Sequence, residues 1–369
     1  MNRREWMQAI TVAGAACRAE RRRDHACDAR TVIASTPDGG DGPSPTECQY
    51  APPGEYVKDH TFVYHDGWWH LYSISGTWGY SWAYTGCEET VSWSISRDLV
   101  NWEFRGHVLH ASHRPNTFDQ DMVWAPYCRK VGNRFYMYYA GEVCPVRPMQ
   151  YSKLGSYAKT VDEGNSSTIG LAISDDLTRW VKVSDPVKGL GVPGRDPHVV
   201  RDEVKSRWLL YSTGVQVHGL SGAYVSESSN LEDWKLLGPC VAFPDADPHV
   251  VRGRSLDELL LLGRMDTAES LTVMRHPISK KWIALGNWHY VLSADPTNFL
   301  GGKPELYDID RAGKKVDMGF ACRILQWQGR WYRSGVMGKL DRWQLGFTEI
   351  AWTPDGAFRI VKPSRLADS

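Results

Sequence analysis

The sequence has no net charge, no long hydrophobic run and no cysteine spacing typical of a metal site. Its 43 Lys and Arg residues balance 43 Asp and Glu residues, so the charge does not indicate nucleic acid or an anionic membrane surface as a partner. No apolar run reaches about 18 residues, which excludes a hydrophobic membrane span. The eight cysteines form no CxxC pair and no Cys/His spacing of a zinc site.

Phenylalanine is scarce beside the other aromatic residues, with 9 Phe against 17 Trp and 17 Tyr. Amphipathic aromatic residues at this density suit a β-rich protein, and they also suit a site that stacks on sugar rings. We expect most of them to lie in the cores of the sheets.

Residues 1–50 differ in composition from the rest of the chain. Arg3-Arg4 precede a short apolar stretch that ends at Cys17, a pattern similar to a degenerate twin-arginine export signal. Residues 18–50 are rich first in Arg and then in Asp, Gly, Pro and Ser, which favours disorder whether or not the chain is exported. We therefore expect an export-signal-like, disordered segment over 1–50, one domain over 51–369, and a secreted or periplasmic protein.

Five segments repeat the same order of features: a polar or Asp-containing opening, a short apolar stretch, a turn and an aromatic-rich stretch. The openings lie at Lys58-Asp59-His60, Asp121, Arg195-Asp196-Pro197, Asp247-Pro248-His249 and Met318-Gly319-Phe320. A second motif follows each opening and reads Ser-x-Asp-Leu-x-x-Trp where it is clearest. Its copies lie at 94–102, 172–180 and 225–234, with weaker ones at 275–282 and 347–350.

This repeat predicts the fold. Each unit reads as a small antiparallel sheet that cannot bury both faces alone, and stacking such units around an axis closes a continuous core. Five units of roughly 50 to 75 residues fill the chain from residue 57 to its end. The sequence therefore predicts an all-β, five-bladed β-propeller with a disordered N-terminal extension.

The openings carry the candidate chemistry. In a propeller the first strand of each blade lines the central channel, so Asp59, Asp196 and Asp247 are expected to converge at one mouth, with Asp121 as a fourth. Converging carboxylates raise one another's pKa, which separates an ionised base or nucleophile from a protonated acid, as glycoside hydrolysis requires. Each aspartate alone could instead be a turn residue, and polar channel residues could solvate the channel or hold a metal.

These residues resemble those of the five-bladed propeller glycosidases, a superfamily that contains β-fructosidases, arabinofuranosidases and arabinanases, and anhydro-galactosidases. The resemblance covers about residues 55 to 350. It is carried by the Asp59 segment, by Met122-Val123-Trp124-Ala125-Pro126, by Arg195-Asp196-Pro197 and by the Ser-x-Asp-Leu-x-x-Trp copies.

The resemblance implies roles for individual residues. Asp59 would be the nucleophile or general base, and Asp196 would stabilise the transition state or tune the acid. Arg195 would pair with these carboxylates or hold a sugar oxygen. Trp124 would form a stacking wall of the first sugar subsite.

The fourth opening departs from the family. The family places a Glu there, in Glu-Cys or Glu-Gly-Pro, as general acid, whereas residues 244–249 contain no Glu. We take Asp247 as the first candidate for the acid, His249 as the second and Asp245 as the third. The departure also favours a rival hypothesis, an inactive, lectin-like propeller that binds carbohydrate.

Further residues are candidates for substrate contacts. His60 and His198 lie near the channel, where they could hydrogen-bond substrate or backbone or hold a structural cation. Trp78 belongs to an aromatic segment over 76–84 that could form a rim, and Glu142 is a reserve catalytic carboxylate. We expect a glycosidase that acts on a furanoside-type or related oligosaccharide or polysaccharide and requires no cofactor and no catalytic metal.

Overall fold

The fold consists of four-stranded antiparallel sheets, each built from consecutive strands. The computed structural model describes residues 43–80, 87–143, 167–184, 186–217, 220–243, 268–307, 316, 318–338 and 342–364. Blade one contains β1 (Glu55–His65), β2 (Trp68–Thr77), β3 (Thr90–Ser96) and β4 (Trp102–His110). Blade two contains β5 (Met122–Val131), β6 (Arg134–Glu142), β7 (Thr168–Ser174) and β8 (Val181–Ser184).

The remaining sheets follow the same order. Blade three contains β9 (Arg195–Asp202), β10 (Arg207–Val217), β11 (Leu220–Ser228) and β12 (Lys235–Phe243). Blade four contains β13 (Thr272–Arg275), β14 (Trp282–Leu285), β15 (His289–Ser293) and β16 (Glu305–Leu306). Blade five contains β17 (Phe320–Trp327), β18 (Arg330–Met337), β19 (Gln344–Trp352) and β20 (Phe358–Lys362).

The blades form a closed ring. The first strands β1, β5, β9, β13 and β17 contact one another in this order, and β17 contacts β1, so these strands line the channel. An apolar cluster fills each joint between neighbouring blades; Phe135 and Val91 contribute to the cluster between blades one and two, and Phe243 and Trp282 to the one between three and four. The prediction of an all-β, five-bladed propeller is confirmed.

A side-chain-capped turn follows the third strand of a blade. In blade one the Oγ of Ser96 accepts the backbone N–H of Leu99 at 3.0 Å, and Oδ1 of Asp98 accepts that of Val100 at 2.9 Å. These bonds hold Leu99 at a φ of 64° with its side chain fully buried. Such a conformation is costly for a leucine, so the Ser and Asp of the repeated motif are needed to fix it. Equivalent bonds are made by Ser174 with Leu177 and by Ser228 with Leu231.

The fourth blade differs from the sequence prediction. Its capped turn follows β15, where Ser293 Oγ accepts the N–H of Asp295 at 3.1 Å and Asp295 Oδ1 accepts that of Thr297 at 2.9 Å. Residues 275–282, predicted as the fourth copy of this motif, instead join the first two strands of the blade. The predicted first strand at Asp247 lies outside the described residues, and the described sheet begins at β13.

The chain before residue 51 also contributes to the fold. Tyr50 forms an antiparallel bridge with Leu345 in β19, and Lys362 Nζ lies 2.7 Å from an oxygen of Glu47. Residues 1–42, with the expected export signal, lie outside the described residues. In the part of the chain that the structure describes, no helix is long and apolar enough to cross a membrane.

Candidate active site

Each first strand has a pair of residues at or near its start, at one end of the channel. The register of the first hairpin shifts at this point in blades one, two, three and five. One residue of the pair has a positive φ in blades two to five: 45° at Ala125, 52° at Asp196, 53° at Ser270 and 54° at Ala321. Bulges of this kind redirect side chains and are common beside active sites. Five pairs of residues lie at this end of the first strands and are called the mouth pairs below: Lys58-Asp59, Trp124-Ala125, Arg195-Asp196, Glu269-Ser270 and Phe320-Ala321.

Asp59 and Asp196 lie on either side of Ser270. The Ser270 hydroxyl donates to Oδ1 of Asp59, and its backbone N–H donates to Oδ2 of Asp196 at 3.0 Å. Thr213 donates a further hydrogen bond to Asp196 at 2.7 Å. Both carboxylates are almost fully buried, at 6% and 3% exposure. Burial and the neighbouring Asp59 raise the pKa of Asp196, although Arg195 and the two donors act in the opposite direction.

Arg195 connects Asp196 to a glutamate that the sequence analysis did not nominate. The guanidinium of Arg195 lies 3.7 Å from Oδ2 of Asp196 and 3.5 Å from Oε1 of Glu269. Glu269 is 28% exposed, so it is the most accessible of the three carboxylates. A more exposed carboxyl at the mouth can reach a leaving group that remains in contact with solvent.

Lys58 lies between two aromatic rings beside Asp59. Its Nζ is 5.5 Å from the ring centre of Trp124 and 5.6 Å from that of Trp343. It also forms a 3.1 Å ion pair with the fully buried Glu88. Burial opposes the charge of Lys58, but the carboxylates of Glu88, Asp59 and Glu269 outweigh it and raise the pKa of the lysine. The two rings and the ammonium group form one wall of the site.

Glu142, the reserve candidate, lies fully buried at the end of β6 and next to blade three. One oxygen accepts the hydroxyl hydrogen of Ser167, and Oε2 has no hydrogen-bond partner. The Ser167 carbonyl accepts the N–H of Gly194, the residue before Arg195, at 3.1 Å. Burial is the main cause that raises the pKa of Glu142 from 4.5 to about 7; Ser167 and Arg195 lower it, and Asp196 and Glu88 add to the rise.

This buried acid predicts a pH-dependent stability. Between pH 4.5 and about 7 the folded protein holds a proton on Glu142 that the unfolded chain has lost, so the free energy of unfolding falls as pH rises through this range. A Glu142→Gln variant, which cannot ionise, is expected to match the wild type near pH 4.5 and to exceed it by up to about 3 kcal/mol near pH 8. Urea unfolding at both pH values measures the difference.

Glu103→Gln, an exposed substitution in β4, is the control and should leave the pH dependence unchanged. The same slope of unfolding free energy against pH in Glu142→Gln and wild type would contradict the prediction.

The structure places His60 and His198 in contacts between blades. His60 is fully buried and bonds the Lys58 carbonyl at 3.1 Å and the Ser334 hydroxyl at 2.7 Å. Nε2 of His198 donates to the Val273 carbonyl at 2.9 Å. Burial and the nearby Arg323 lower the pKa of His60 to about 3 and hold that of His198 well below its usual range, so both are neutral. Among the described residues, neither imidazole forms a hydrogen bond with Asp59, Asp196 or Glu269.

The other predicted residues are distributed differently. Trp124 is half-buried in a mouth pair, whereas Trp78 is 39% exposed beyond β2, where its backbone N–H donates to the Gly54 carbonyl. Asp121 precedes β5 and is not part of a mouth pair; Ala125 occupies that position. Asp245, Asp247 and His249 lie outside the described residues. Among the described residues, no group of three or more His, Cys, Asp or Glu side chains could hold a metal ion.

Sequence reasoning missed Glu269, Ser270 and the Lys58–Glu88 pair. The capped turn at 293–299 is the sequence feature from which Glu269 and Ser270 could have been predicted. Counting three strands back from it reaches β13, and Glu269-Ser270 lies directly before that strand. Nothing in the sequence pattern indicates the contact between Lys58 and Glu88, because it joins the first strand of blade one to a residue outside the strands.

Comparison with known proteins adds to this geometry. Residues 71–243 match the family model of Glycosyl hydrolases family 43. The chain is 28% identical over 195 residues to a levanase from Bacillus sp. (strain L7), a match that covers 50% of this chain and 18% of the levanase. This chain therefore corresponds to only a small part of that relative's length.

Solved structures share the fold. A GH43_1 enzyme from Xanthomonas citri in complex with xylotriose has a TM-score of 0.59 at 16% identity, covering 87% of this chain and 95% of that chain. A GH32 β-fructofuranosidase from Bombyx mori has a TM-score of 0.57 at 18% identity, covering 87% of this chain and 66% of that chain. With the repeated blades, these findings show that the chain has a five-bladed β-propeller fold and that part of it is similar to Glycosyl hydrolases family 43.

Proposed function

We propose that the chain is a glycoside hydrolase that cleaves a furanoside-type or related glycosidic bond at the mouth pairs. The observation that carries the proposal is the convergence of Asp59, Asp196 and Glu269 from three blades on one Ser270–Arg195 contact network. Two or more carboxyl groups in different environments are what glycosidic bond cleavage requires.

The environments of the three carboxylates assign their roles. Glu269, at the accessible edge of the group, donates a proton to the glycosidic oxygen as the bond to the anomeric carbon breaks. Asp59, nearly buried, either attacks the anomeric carbon or removes a proton from the water that attacks it. Asp196 and Arg195 hold the sugar hydroxyls and keep the charges of the two reacting groups apart.

The wall formed by Lys58, Trp124 and Trp343 suits a sugar ring. An indole face packs against the C–H groups of a sugar, and an ammonium group donates hydrogen bonds to its hydroxyl oxygens. Because Glu88 balances the charge of Lys58, the wall does not select for an acidic sugar. A neutral sugar at the non-reducing end of an oligosaccharide or polysaccharide is the proposed substrate, and no cofactor or catalytic metal takes part in the proposed reaction.

The experiment that tests this function is hydrolysis of a substrate panel by the purified full chain. Fructofuranosides are assayed first, since the levanase and the Bombyx mori β-fructofuranosidase act on such sugars by name. Aryl arabinofuranosides and xylosides follow. Release of sugar from one class supports the proposal, and an absence of hydrolysis across the panel contradicts it.

The rival hypothesis is an inactive, carbohydrate-binding propeller. It depended on the missing glutamate at 244–249, and Glu269 now stands as a candidate for that acid. Binding of a panel sugar without its hydrolysis would favour the rival.

A further inference from the structure

We propose that Ser270 is a positioning residue that holds Asp59 and Asp196 in their working arrangement from a third blade. The proposal rests on the proposed function, because it gives the two aspartates their chemical roles. It goes beyond that function by adding a residue that neither reacts nor contacts the sugar.

Each polar group of Ser270 contacts a different blade. The hydroxyl donates to Asp59 of blade one, and the backbone N–H donates to Asp196 of blade three. The carbonyl accepts a hydrogen bond from Nη1 of Arg323, in blade five, at 2.9 Å. Ser270 is 1% exposed, so no bulk water competes for these bonds. One residue of blade four thus connects the mouth pairs of blades one and three to the first strand of blade five.

The second residues of the other mouth pairs show what is special about this serine. Ala125 and Ala321 share its positive φ but carry only a methyl group. Asp59 and Asp196 carry the carboxylates themselves. Among the five mouth pairs, Ser270 alone supplies a neutral hydrogen-bond donor at this position, and it stands beside both carboxylates.

Arg323 supports Ser270 from the channel side. Its Nη1 also donates to the Cys322 carbonyl at 2.8 Å, and it is within 3.4 Å of the Thr272 hydroxyl. The guanidinium is almost fully buried and lies 5.9 Å from the ring centre of Tyr127. Since an arginine remains charged at any accessible pH, this support does not change as the carboxylates titrate.

The two bonds from Ser270 favour ionised carboxylates. A donor to a carboxylate stabilises its charged form, and two carboxylates near each other otherwise resist ionising together. The hydroxyl acts on Asp59 and the backbone N–H on Asp196. A Ser270→Ala substitution therefore removes the donor to Asp59 and leaves the backbone donor to Asp196 in place.

The first test is the steady-state kinetics of wild type and Ser270→Ala. We expect kcat to fall by about tenfold with KM little changed, because Asp59 loses the donor that orients it while the contacts to the sugar remain. Ser334→Ala is the matched control, since Ser334 is another buried serine that bonds His60 and the Arg323 backbone but no carboxylate. It should leave kcat unchanged. An unchanged kcat in Ser270→Ala, or a loss that lies in KM alone, would overturn the proposal.

The second test needs no activity. A double-mutant cycle of Ser270→Ala and Asp59→Asn is measured by urea unfolding at pH 7. We expect the destabilisation caused by Ser270→Ala to be much smaller in the Asp59→Asn background, because the charged acceptor is gone. Additive effects would overturn the proposal, whatever the activity. If the two residues are coupled and the wild type hydrolyses nothing, the positioning contact stands and the proposed function fails.

Discussion

A Glu269→Gln variant is expected to hydrolyse its natural substrate about 10²- to 10⁴-fold more slowly than wild type. The amide keeps the size of the side chain but cannot transfer a proton to the glycosidic oxygen. The loss should be much smaller on an aryl glycoside with an acidic phenol as leaving group, because such a group departs without protonation. Steady-state kinetics on both substrate types measure this contrast.

Two further variants show whether the effect belongs to Glu269. Glu203→Gln, an exposed substitution in blade three, should retain full activity. Asp247→Asn replaces the acid that sequence alone nominates, and it should also retain activity if Glu269 is the acid. Equal losses of Glu269→Gln on both substrate types would rule out its role as proton donor, and a loss confined to Asp247→Asn would return that role to Asp247.

Asp59→Asn is expected to lower kcat about 10³- to 10⁴-fold on every substrate, whatever the leaving group. An amide can neither attack the anomeric carbon nor accept a proton from water. Because Asn has the same shape and its neutral amide oxygen can still accept a hydrogen bond from Ser270, although a weaker one, the variant should fold and keep its affinity for the sugar. Kinetics give the first quantity, and titration calorimetry with an oligosaccharide gives the second.

Asp66→Asn is the matched control. Asp66 lies in the turn between β1 and β2, beyond the end of the strand that contains Asp59. Its side chain is 83% exposed and its φ of 49° suits Asn as well as Asp, so the variant should behave as wild type. Residual hydrolysis near the wild-type rate in Asp59→Asn would exclude the aspartate as nucleophile or base. Loss of sugar binding along with activity would show that Asp59 acts in binding instead.

The repeated motifs made the fold predictable. In blades one to three, a Ser and an Asp or Asn hold a buried leucine such as Leu99 at positive φ, and this local task makes the turns stand out in the sequence. Asp59 and Asp196 could be placed at the channel mouth for a related reason, because each comes just before the apolar part of a first strand.

The fourth blade was harder to predict because two stretches of the sequence could each supply its first strand. Residues 247–251 have the same sequence as residues 196–200, Asp-Pro-His-Val-Val. The pair that lies at the mouth, Glu269-Ser270, has no residue type in common with the other mouth pairs. What the mouth pairs of blades two to five share is a backbone conformation, a positive φ at the second residue. A conformation of this sort leaves little trace when the residue is not glycine.

Contacts between blades could not be read from sequence. His198 lies two residues after Asp196, and residues two apart share a side of a regular strand, yet its ring bonds the Val273 carbonyl of the next blade. The bulge at Asp196 breaks the strict alternation of side chains on which that rule depends. The buried Glu88 and Glu142 find their hydrogen-bond partners within their own blades, in residues that lie 25 or more positions away in the sequence.

The way in which the ring closes affects where the molecule can open locally. Each described sheet is made of consecutive strands, so no strand from one end of the chain completes a sheet at the other. Blades one and five meet through packed side chains, the Tyr50–Leu345 bridge and the His60–Ser334 hydrogen bond. The other joints are crossed by the connections between consecutive blades, whereas this one is crossed by the short segment that leads from Tyr50, paired with β19, into β1. Lys58 lies on one side of this joint and Trp343 on the other, so local opening of the joint separates these two residues of the wall without unfolding a sheet.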